Sequence, residues 1–585
     1  MDVFEAIMGH YQAGRLEQAQ TMLKQVLVSR PRDAQVHGFL SIVLLQQGLH
    51  AEAVEHALQA TKYDPRNSDA WVWLGNAYAA MLRHNEALAQ FERALVFQSR
   101  NAAAWVGKML SLRFLGRIYE AIACGEKAMK KCSTDERVIS TYAAAVLAAG
   151  DPLEAWALAR SGLASWPHSI ELTGVQAGAS NYISLARSDL YDSQLQCGRA
   201  LGEGLAPATT SYSNNRDPAR RLRIGFVSSD LREHSVAYFI RPLLEHADRK
   251  ECELYCYSTT LHPDSRTEEL RRFADHWRDA ARLDDSALCA LVRADAIDVL
   301  IDLHGHTVGH RLGVFCRRPA PVQATYCGYP NITGVRGIDY RIVDAITDPV
   351  QELQIADAEQ LVRMRECFLC YAPGDAPQTL TRCSDRPVTF GSFNAIQKIG
   401  LLALSLWKSV LDAVPESRLA IKAMALREAG LKTAFLRRAE AEGINPNRIT
   451  ILDPTSSVQS HLELYNHIDI ALDTSPYNGT TTTCEALRMG VPVVTLSGDR
   501  HASRVSASLL TAAGFGQWIA HTPQEFTSIA QGLARNVEAL DILKTTIPAQ
   551  LAASPLCDGK EFSGRFLETI RAMWVGWTHS VQGRE

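Results

Sequence analysis

The segment with the clearest chemical character is a glycine-containing loop with four consecutive threonines, residues 473–485. It follows a short apolar run and leads into sequence of helical character. Backbone N–H groups and the hydroxyls of Thr480, Thr481 and Thr482 would there face an anion at the positive end of a helix. Glu485, about one turn further, could accept hydrogen bonds from a ribose diol. A plain threonine-rich helix start is the alternative interpretation.

A lysine and a histidine follow two other apolar runs. Lys398 comes shortly after the run Val388–Phe393, and a cation at such a position suits a phosphate. His234 comes after the run Leu222–Val227, on a predicted loop. A surface lysine and a structural histidine remain the alternatives from the residues alone.

Two groups of potential metal ligands are present. His304, His306 and His310 lie close together in sequence but have no carboxylate at a recognised spacing, and Cys367 and Cys370 form a single C-x-x-C. A zinc finger needs a second such pair. We therefore expect no metal, two ordinary thiols, and a glycine turn that points a polar group outward at the histidines.

Several familiar nucleotide motifs are missing. The sequence has neither a complete G-x-G-x-x-G nor a G-x-x-x-x-G-K-[ST], and no Asp-x-Asp that would hold a divalent cation on a diphosphate. A diphosphate site without a metal motif indicates a nucleotide-sugar transferase in which a helix dipole, a lysine and hydroxyls stabilise the leaving group.

The elements that must position these residues alternate between strands and helices from Arg221 onward. Near-continuous apolar strands separated by helices indicate parallel sheets covered on both faces. We predict two Rossmann-like lobes, 219–385 and 386–585, with a C-terminal helix in the second. The predicted strands are Leu222–Val227, Leu254–Tyr257, Val299–Leu303, Val322–Tyr326, Tyr340–Val343, Val388–Phe393, Arg418–Ile421, Ile449–Leu452, Ile468–Leu472 and Val493–Leu496. Ligands of such sheets bind beyond the carboxyl ends of the strands.

The first third of the chain repeats with a period of 34 residues. Gly14, Gly48, Gly116 and Gly150 lie on this period, and Leu82 fills the missing position. Five residues after each comes an alanine: Ala19, Ala53, Ala87, Ala121 and Ala155. This pattern is typical of tetratricopeptide repeats, in which helix pairs stack into a superhelix. We predict about five units over 1–170, a terminal helix and linker over 171–218, and a groove that binds protein or peptide.

Composition limits the remaining possibilities. The 585 residues are 46% hydrophobic and carry a net charge of −4, which argues against a dedicated partner of nucleic acid or of anionic membranes. No apolar run has the length of a membrane span, and the N-terminus lacks the features of a secretory signal. Thirteen scattered cysteines indicate free thiols in a reducing compartment, so we expect a cytoplasmic protein.

The chain resembles the O-linked N-acetylglucosamine transferases, tetratricopeptide-bearing glycosyltransferases of family 41 with the two-lobed GT-B architecture. The resemblance covers nearly the whole chain, and its few repeats look like those of a bacterial member. The matching segments are G-F-V-S-S-D-L-R-E-H (225–234), R-P-A-P-V-Q (318–323), G-Y-P (328–330), L-D-T-S-P-Y-N-G-T-T-T (472–482) and A-S-R-V-S-A-S (502–508).

The resemblance implies an inverting transfer of N-acetylglucosamine from UDP-N-acetylglucosamine to Ser and Thr of proteins, without a metal or other cofactor. His234 matches the proposed catalytic histidine, and Lys398 matches the diphosphate-binding lysine. Thr480, Thr481 and Thr482 occupy the phosphate loop. Glu485 stands where animal members carry an Asp that holds the ribose, and His461 matches a histidine that stacks on the uracil.

The sequence departs from animal members at three positions near the expected donor. Ala395 replaces a Gln, Val458 replaces a Lys, and Leu464 replaces an Arg. Related transferases that move glucose from UDP-glucose onto Asn are the alternative. The non-enzymatic alternative is a repeat scaffold carrying a decayed transferase fold, which the presence of His234, Lys398 and the threonine loop disfavours.

Overall fold

The computed structural model describes residues 3–205, 207, 211–351, 355–372, 374, 377–380 and 386–582. It divides into two compact units, Met1–Val175 with Glu428–Leu431, and Gln176–Arg427 with Lys432–Glu585. Part of the predicted linker (206 and 208–210) and the predicted lobe boundary at residue 385 lie outside the described residues.

In the described part of the first unit, ten helices form five successive pairs. The pairs are α1 (Val3–Gln12) and α2 (Leu16–Ser29), α3 (Ala34–Gln46) and α4 (His50–Tyr63), α5 (Ser68–Ala80) and α6 (His84–Phe97), α7 (Ala102–Phe114) and α8 (Ile118–Cys132), and α9 (Glu136–Ala148) and α10 (Pro152–Leu163). This confirms the predicted helical repeat.

The turn inside each pair needs a left-handed backbone residue. Gly14, Gly48, Gly116 and Gly150 have φ angles of 71°, 77°, 72° and 88°, and Leu82 adopts 60° at the same position of the third pair. The five alanines predicted at the close approach of the paired helices are fully buried. The residue types of the period therefore follow from the tight turn and from close helix packing.

A further feature of the period appears at the start of the first helix in four pairs. The side chains of Asp33, Asn67, Asn101 and Asp135 each accept a hydrogen bond from a backbone N–H of the first turn of α3, α5, α7 and α9, respectively. These N-caps satisfy donors that have no partner within the helix. They are spaced by 34 residues, as the glycines are, so each pair begins with the same local signal.

Two helices follow the repeats, whereas the sequence predicted one terminal helix: α11 (Ile170–Ser180) and α12 (Arg187–Gly202). Asn181, which lies between the two helices, donates to the Tyr329 hydroxyl (2.9 Å). Tyr329 in turn donates to the side chain of Gln194 in α12 (2.7 Å). All three side chains are buried, so α12 and the residue that follows α11 are bonded to the first lobe within the second unit.

The first lobe contains a seven-stranded parallel sheet with the order β3-β2-β1-β4-β5-β6-β7. Its strands are β1 (Leu222–Ser228), β2 (Cys252–Ser258), β3 (His276–Asp279), β4 (Val299–Asp302), β5 (Val322–Thr325), β6 (Tyr340–Asp344) and β7 (Gln360–Met364). Helices α13 (Ser235–His246), α14 (Ser265–Phe273), α15 (Asp285–Ala294) and α16 (Leu312–Cys316) connect them.

The second lobe contains a six-stranded parallel sheet with the order β10-β9-β8-β11-β12-β13. Its strands are β8 (Thr389–Ser392), β9 (Arg418–Ile421), β10 (Ile449–Ile451), β11 (Ile470–Leu472), β12 (Val493–Leu496) and β13 (Ile519–Ala520). Its helices are α17 (Leu401–Ala413), α18 (Ala429–Ala441), α19 (Val458–Glu463), α20 (Thr481–Arg488), α21 (Val505–Ala512), α22 (Pro523–Arg535), α23 (Val537–Ala552) and α24 (Gly559–Gln582). The predicted fold class, helical repeats followed by two Rossmann-like lobes, is confirmed.

All ten predicted strands are present, and three strands escaped prediction: β3, β7 and β13. Each of the three lies at an edge of its sheet. An edge strand has one neighbour and is partly exposed, so it does not need a continuous apolar run. The sequences of β3 (His-Trp-Arg-Asp) and β7 (Gln-Leu-Val-Arg-Met) are accordingly mixed.

The last helix, α24, follows the second lobe in sequence but packs on the first. Ser563 donates to the carbonyl of Pro242 in α13 (3.3 Å), and the Arg571 guanidinium donates to the carbonyl of Pro218 (3.0 Å). Phe562 and Phe566 of this helix are buried in a core shared with β1 and α13. The chain therefore ties its two lobes together with its final element.

Leu82 offers a test of the turn requirement. We expect Leu82→Gly to stabilise the protein by about 0.5–1 kcal/mol, because a left-handed backbone costs a non-glycine residue roughly 1–2 kcal/mol and part of that gain is lost to the freedom of glycine in the unfolded chain. Leu82 is 53% exposed, so little apolar burial is lost. Urea unfolding of the full chain measures the difference.

The matched control is Leu58→Gly. Leu58 is 43% exposed but lies inside α4, where glycine should destabilise by about 1 kcal/mol. If both variants lose stability equally, the turn does not demand a left-handed residue at position 82.

Candidate functional site

Both sheets reverse their strand order at one point, between β1 and β4 in the first and between β8 and β11 in the second. Helices connecting strands on the two sides of such a point diverge, which leaves a crevice at the carboxyl ends of the strands. His234 follows β1, Lys398 follows β8, and Thr480–Thr482 follow β11. These predicted site residues thus follow strands at the two switch points, whereas His461 lies in α19, between β10 and β11 in sequence.

The loop after β11 is organised by the buried carboxylate of Asp473. Its Oδ1 accepts the backbone N–H groups of Thr474 (2.8 Å) and Gly479 (2.7 Å), and its Oδ2 accepts the Thr495 hydroxyl (2.7 Å). Burial raises the pKa of Asp473, while these donors favour its ionised form. The carboxylate therefore closes the loop and fixes the entry into α20.

The threonines at the start of α20 have different surroundings. Thr482 Oγ1 donates to Asn394 Oδ1 (3.1 Å), and Thr483 Oγ1 is bonded to Ser506 (2.8 Å). Thr481 Oγ1 is buried and has no hydrogen-bond partner, and Thr480 precedes the helix without a side-chain cap. A buried hydroxyl without a partner is costly unless a ligand supplies one. Thr481 is therefore the threonine best placed to bind an anion at this helix terminus.

Lys398 joins the loop after β8 to the loop after β11. Its ammonium group donates to the carbonyl of Asn478 (2.7 Å) and lies 3.9 Å from the centre of the Tyr477 ring. Tyr477 in turn stacks on Tyr182, with ring centres 5.2 Å apart. Burial lowers the pKa of Lys398 to about 8, and Asp473 partly offsets this. The lysine is held in place beside the threonine loop rather than projecting freely into solvent.

Glu485 and His461, predicted from the resemblance as ribose and uracil contacts, are brought together. His461 Nε2 lies 3.0 Å from Glu485 Oε2, and the Tyr465 hydroxyl donates to the same oxygen (3.2 Å). Lys422 lies 3.0 Å from His461 Nδ1. Because an ammonium group only donates, Nδ1 accepts from Lys422, and Nε2 carries the proton that His461 donates to Glu485. The two side chains form one polar wall of the crevice.

Sequence reasoning missed Lys422 and Tyr465 in this cluster. Lys422 directly follows β9, so the rule that directed attention to Lys398 applied to it equally. Burial lowers the pKa of Lys422. Tyr465 carries no comparable signal, because it lies in a short helical turn after α19 and its role depends on packing. Three residues at which the sequence departs from animal members are near this cluster in sequence. Of these, Ala395 and Val458 are exposed, and Leu464 is partly buried.

His234 is the N-cap of α13 and not a free loop residue. Its Nδ1 lies 3.3 Å from the backbone N–H of Val236 and 3.4 Å from Asp230 Oδ2. Burial lowers the pKa of His234, and the Asp230 carboxylate opposes this. The side chain remains 39% exposed, so it can reach a ligand in the crevice.

His304 and His306 have different hydrogen-bond partners, and the ring of His310 lies edge-on to that of His306, with ring centres 6.3 Å apart. His304 is 1% exposed and bonded to the loop after β1, whereas His306 is bonded to the carbonyl of Thr333 (2.6 Å) and to Cys197. Within the described part of the chain no three His, Cys, Asp or Glu side chains are grouped as metal ligands. Cys367 and Cys370 are buried thiols, and burial raises the pKa of both.

Fold and site together define a repeat-bearing α/β protein with two Rossmann-like lobes and a threonine loop that opens α20 at the switch point of the second. The chain belongs to glycosyl transferase family 41, whose model matches residues 205–386 and 376–566. A tetratricopeptide repeat model matches residues 4–60 and 44–104. The resemblance to this family drawn from the sequence is confirmed. Among the helices of the described residues, none has the length and apolar character needed to cross a membrane.

Two relatives and one solved structure illustrate the similarity. The chain is 39% identical over 409 residues to the probable UDP-N-acetylglucosamine–peptide N-acetylglucosaminyltransferase SPINDLY of Hordeum vulgare, over 68% of this chain and 43% of that protein. It is 29% identical over 368 residues to the probable enzyme of the same activity, SEC, of Arabidopsis thaliana, over 61% of this chain and 37% of that protein. The chain thus spans less than half the length of these curated relatives.

A solved structure extends the likeness to the fold. A mutant O-GlcNAc transferase of Thermobaculum terrenum superposes with a TM-score of 0.81 at 32% identity. The match covers 88% of this chain and 99% of that chain. Repeats and lobes therefore occur together in that protein as they do here.

The depressed pKa of Lys398 predicts a pH dependence of diphosphate binding. Only the charged ammonium attracts a diphosphate, so the affinity for UDP should fall above the pKa of about 8, by close to tenfold per pH unit. Calorimetry with UDP between about pH 7 and 9.5 measures this dependence. Lys398→Met should bind UDP more weakly and lose the dependence. The same pH dependence in Lys398→Met would assign it to another group.

Proposed function

We propose that this protein is a metal-independent, inverting glycosyltransferase that moves N-acetylglucosamine from UDP-N-acetylglucosamine to Ser and Thr hydroxyls of protein acceptors. The observation that carries the proposal is the juxtaposition of the Lys398 ammonium with the Asn478 carbonyl, at the loop that opens α20 and presents the unpartnered Thr481 hydroxyl. The names of the relatives support the donor and the acceptor class.

The diphosphate leaving group determines the task proposed for Lys398, Thr481 and the start of α20. Transfer breaks the bond between the sugar C1 and the diphosphate, and the departing oxygen gains negative charge. Lys398 supplies a positive charge, Thr481 supplies a donor, and α20 directs its N-terminal N–H groups to the same place. Groups already fixed by Asp473 and Tyr477 need no reorganisation as the charge develops.

The nucleoside would lie along the wall formed by Glu485 and His461. Glu485 keeps lone pairs for a ribose diol, and the neutral His461 ring offers a flat face beside the base. Tyr465 and Phe393 pack against this wall, with ring centres 4.3 Å apart. The exposed Ala395 and Val458 leave fewer polar contacts here than animal members have, which keeps UDP-glucose as a candidate donor.

His234 is proposed as the group that receives the acceptor proton. It follows β1, so it approaches the crevice from the opposite lobe to the diphosphate loop. This arrangement suits an acceptor hydroxyl that attacks C1 on the face away from the leaving group, with inversion at C1. Twelve described cysteines are free, mostly buried thiols, which supports a reducing compartment such as the cytoplasm.

The repeats are proposed to hold the acceptor protein. A surface cavity in the third and fourth repeats is lined by Trp105 and by two ion pairs, Lys108 with Glu92 (2.8 Å) and Arg117 with Glu120 (2.6 Å). An aromatic ring among charged side chains of both signs suits an extended peptide. Binding energy far from the reacting atoms can position the hydroxyl for attack.

A donor panel tests the proposed reaction. We expect release of UDP from UDP-N-acetylglucosamine in the presence of a protein extract, faster than from UDP-glucose, and no release of GDP from GDP-sugars. Lys398→Ala should lower the rate about 100-fold or more with the fold intact. EDTA should leave the rate unchanged, because Lys398 and α20 replace a cation. Turnover of a purine-diphosphate sugar, or loss of activity in EDTA, would contradict the donor or the metal proposal, respectively.

A second experiment tests the acceptor proposal. Trp105→Ala and Lys108→Ala should raise the KM for protein acceptors at least several-fold while leaving UDP affinity unchanged. Arg137→Ala is the matched control, since Arg137 is exposed on α9 and is not part of the cavity lining. Deletion of residues 1–169 should act in the same direction and more strongly, provided that the shortened chain stays soluble. If UDP affinity falls together with transfer, the repeats support the catalytic lobes instead.

A further inference from the structure

One carboxylate lies between two histidines at the switch point of the first sheet. Asp230 Oδ2 is 3.4 Å from His234 Nδ1 and 3.5 Å from His304 Nδ1. Asp230 is 7% exposed and His304 is 1% exposed. The resemblance and the motifs single out His234 but assign nothing to Asp230 or His304.

The hydrogen bonds of His304 define its protonation. The backbone N–H of Ser229 donates to His304 Nε2 (2.8 Å), so this nitrogen carries a lone pair. Burial lowers the pKa of His304 to about 4, so the ring is neutral near pH 7 and its single proton sits on Nδ1. Nδ1 lies 2.9 Å from Thr307 Oγ1 and faces Asp230. With its lone pair occupied and its ring buried, His304 cannot accept a proton from an acceptor.

The loop that carries His304 is held rigidly. The carboxylate of Asp302 accepts the backbone N–H of His304 (3.2 Å), the N–H of Gly305 (2.7 Å) and the Thr325 hydroxyl (2.8 Å). His304 is therefore a fixed, neutral ring whose Nδ1–H donates to the Thr307 hydroxyl (2.9 Å), with Asp230 Oδ2 3.5 Å from the same nitrogen. As an uncharged neighbour it leaves the charge of Asp230 intact.

His234 has two competing partners at Nδ1. The backbone N–H of Val236 requires a lone pair on Nδ1 and would leave the proton on Nε2, the nitrogen on the far side of the ring. The carboxylate of Asp230 requires the proton on Nδ1 and leaves the lone pair on Nε2. Only the second state can act as a base toward a ligand. The choice between the two states rests on Asp230.

We propose that Asp230 is the positioning residue that makes His234 a general base, beside the neutral ring of His304. This inference rests on the proposed function of His234. As the acceptor oxygen forms its bond to C1, its proton moves to His234 Nε2, while the electron pair of the broken C1–O bond leaves with UDP. The imidazolium that forms is paired with the Asp230 carboxylate and then loses its proton to solvent.

Arg232, Glu233 and His304 also lie near His234. Arg232 lies 3.9 Å from Asp230 and is half-buried, and it lowers the pKa of His234. Glu233 accepts the Tyr238 hydroxyl (2.5 Å) and lies 3.4 Å from Arg266. His304 is neutral. Asp230 is therefore the charge that faces Nδ1 directly.

Asp230→Asn tests the proposal, because it keeps the shape and removes the charge. We expect kcat for transfer to fall roughly 10²–10⁴-fold, with UDP affinity unchanged within about twofold. The carboxylate raises the pKa of the imidazole, so its loss should move the acidic limb of the kcat profile to lower pH. Glu233→Gln, which removes a charge one residue before His234, should keep kcat within about threefold.

Two further measurements separate a catalytic dyad from a structural contact. Adding Asp230→Asn to His234→Ala should cost nothing beyond His234→Ala alone, since the carboxylate acts only through the ring. Nitrogen NMR of histidine-labelled full-length protein should show the Nδ1–H form of His234 in the wild type and the Nε2–H form in Asp230→Asn.

The NMR measurement needs no donor, so it distinguishes this inference from the proposed function. If wild-type protein transfers no sugar from any donor tested, the proposed function fails while the tautomer result still decides the role of Asp230. Losses that multiply in the double variant, an unchanged kcat in Asp230→Asn, or the same His234 tautomer in both proteins would each overturn the inference.

Discussion

The reversal of strand order in two parallel sheets is the constraint on which the site depends. Helices that follow β1 and β4, or β8 and β11, lie on opposite sides of their sheet, so the loops between these strands cannot be covered by their own crossovers. The uncovered loops carry His234 and His304 in the first lobe and Lys398 and the threonine loop in the second. These side chains take their positions from the strand order, whereas Lys422 follows β9 and His461 lies in α19, after β10.

Three buried carboxylates lie in or beside the loops that follow the central strands. Asp473 closes the threonine loop, Asp302 holds the loop of His304, and Asp230 faces His234. Asp473 and Asp302 each accept three N–H or O–H donors, which compensates the cost of burying a charged group, whereas Asp230 lies beside two histidines and Arg232. The same device appears in both lobes, and in each lobe it fixes a loop that follows a central strand.

Contacts between the two lobes keep the crevice assembled. Asp348 of the first lobe is bonded to His501 Nδ1 of the second (2.6 Å) and lies 3.5 Å from Arg341. Burial alone would raise the pKa of Asp348, but His501 and the Arg341 guanidinium hold it well below the usual range. Ser508 donates to Asp344 of the first lobe (2.5 Å). His501 precedes the A-S-R-V-S-A-S segment and Ser508 ends it, so part of the resemblance to the family reflects how the lobes are joined. The packing of α24 on the first lobe also holds the two lobes together.

The sequence by itself determined the local features. The 34-residue period specified the helix pairs and the left-handed turns, including Leu82, because a tight turn and close helix packing restrict the residue type at fixed positions. Apolar runs specified ten strands, and the residues after them included Lys398, His234 and the threonine loop. The edge strands β3, β7 and β13 were not predicted, because a partly exposed strand does not need a continuous run of apolar residues.

Only the tertiary structure decided which side chains meet. Nothing in the spacing indicates that Thr481 keeps an unpartnered hydroxyl while Thr482 and Thr483 are bonded, or that Lys422 and Tyr465 join His461 and Glu485. The bridging of His234 and His304 by Asp230 likewise joins segments some 70 residues apart. Residue type limits what a side chain can do, but its proton and its partner are set by neighbours that folding brings from distant parts of the chain, and these depend on sheet order rather than on local sequence.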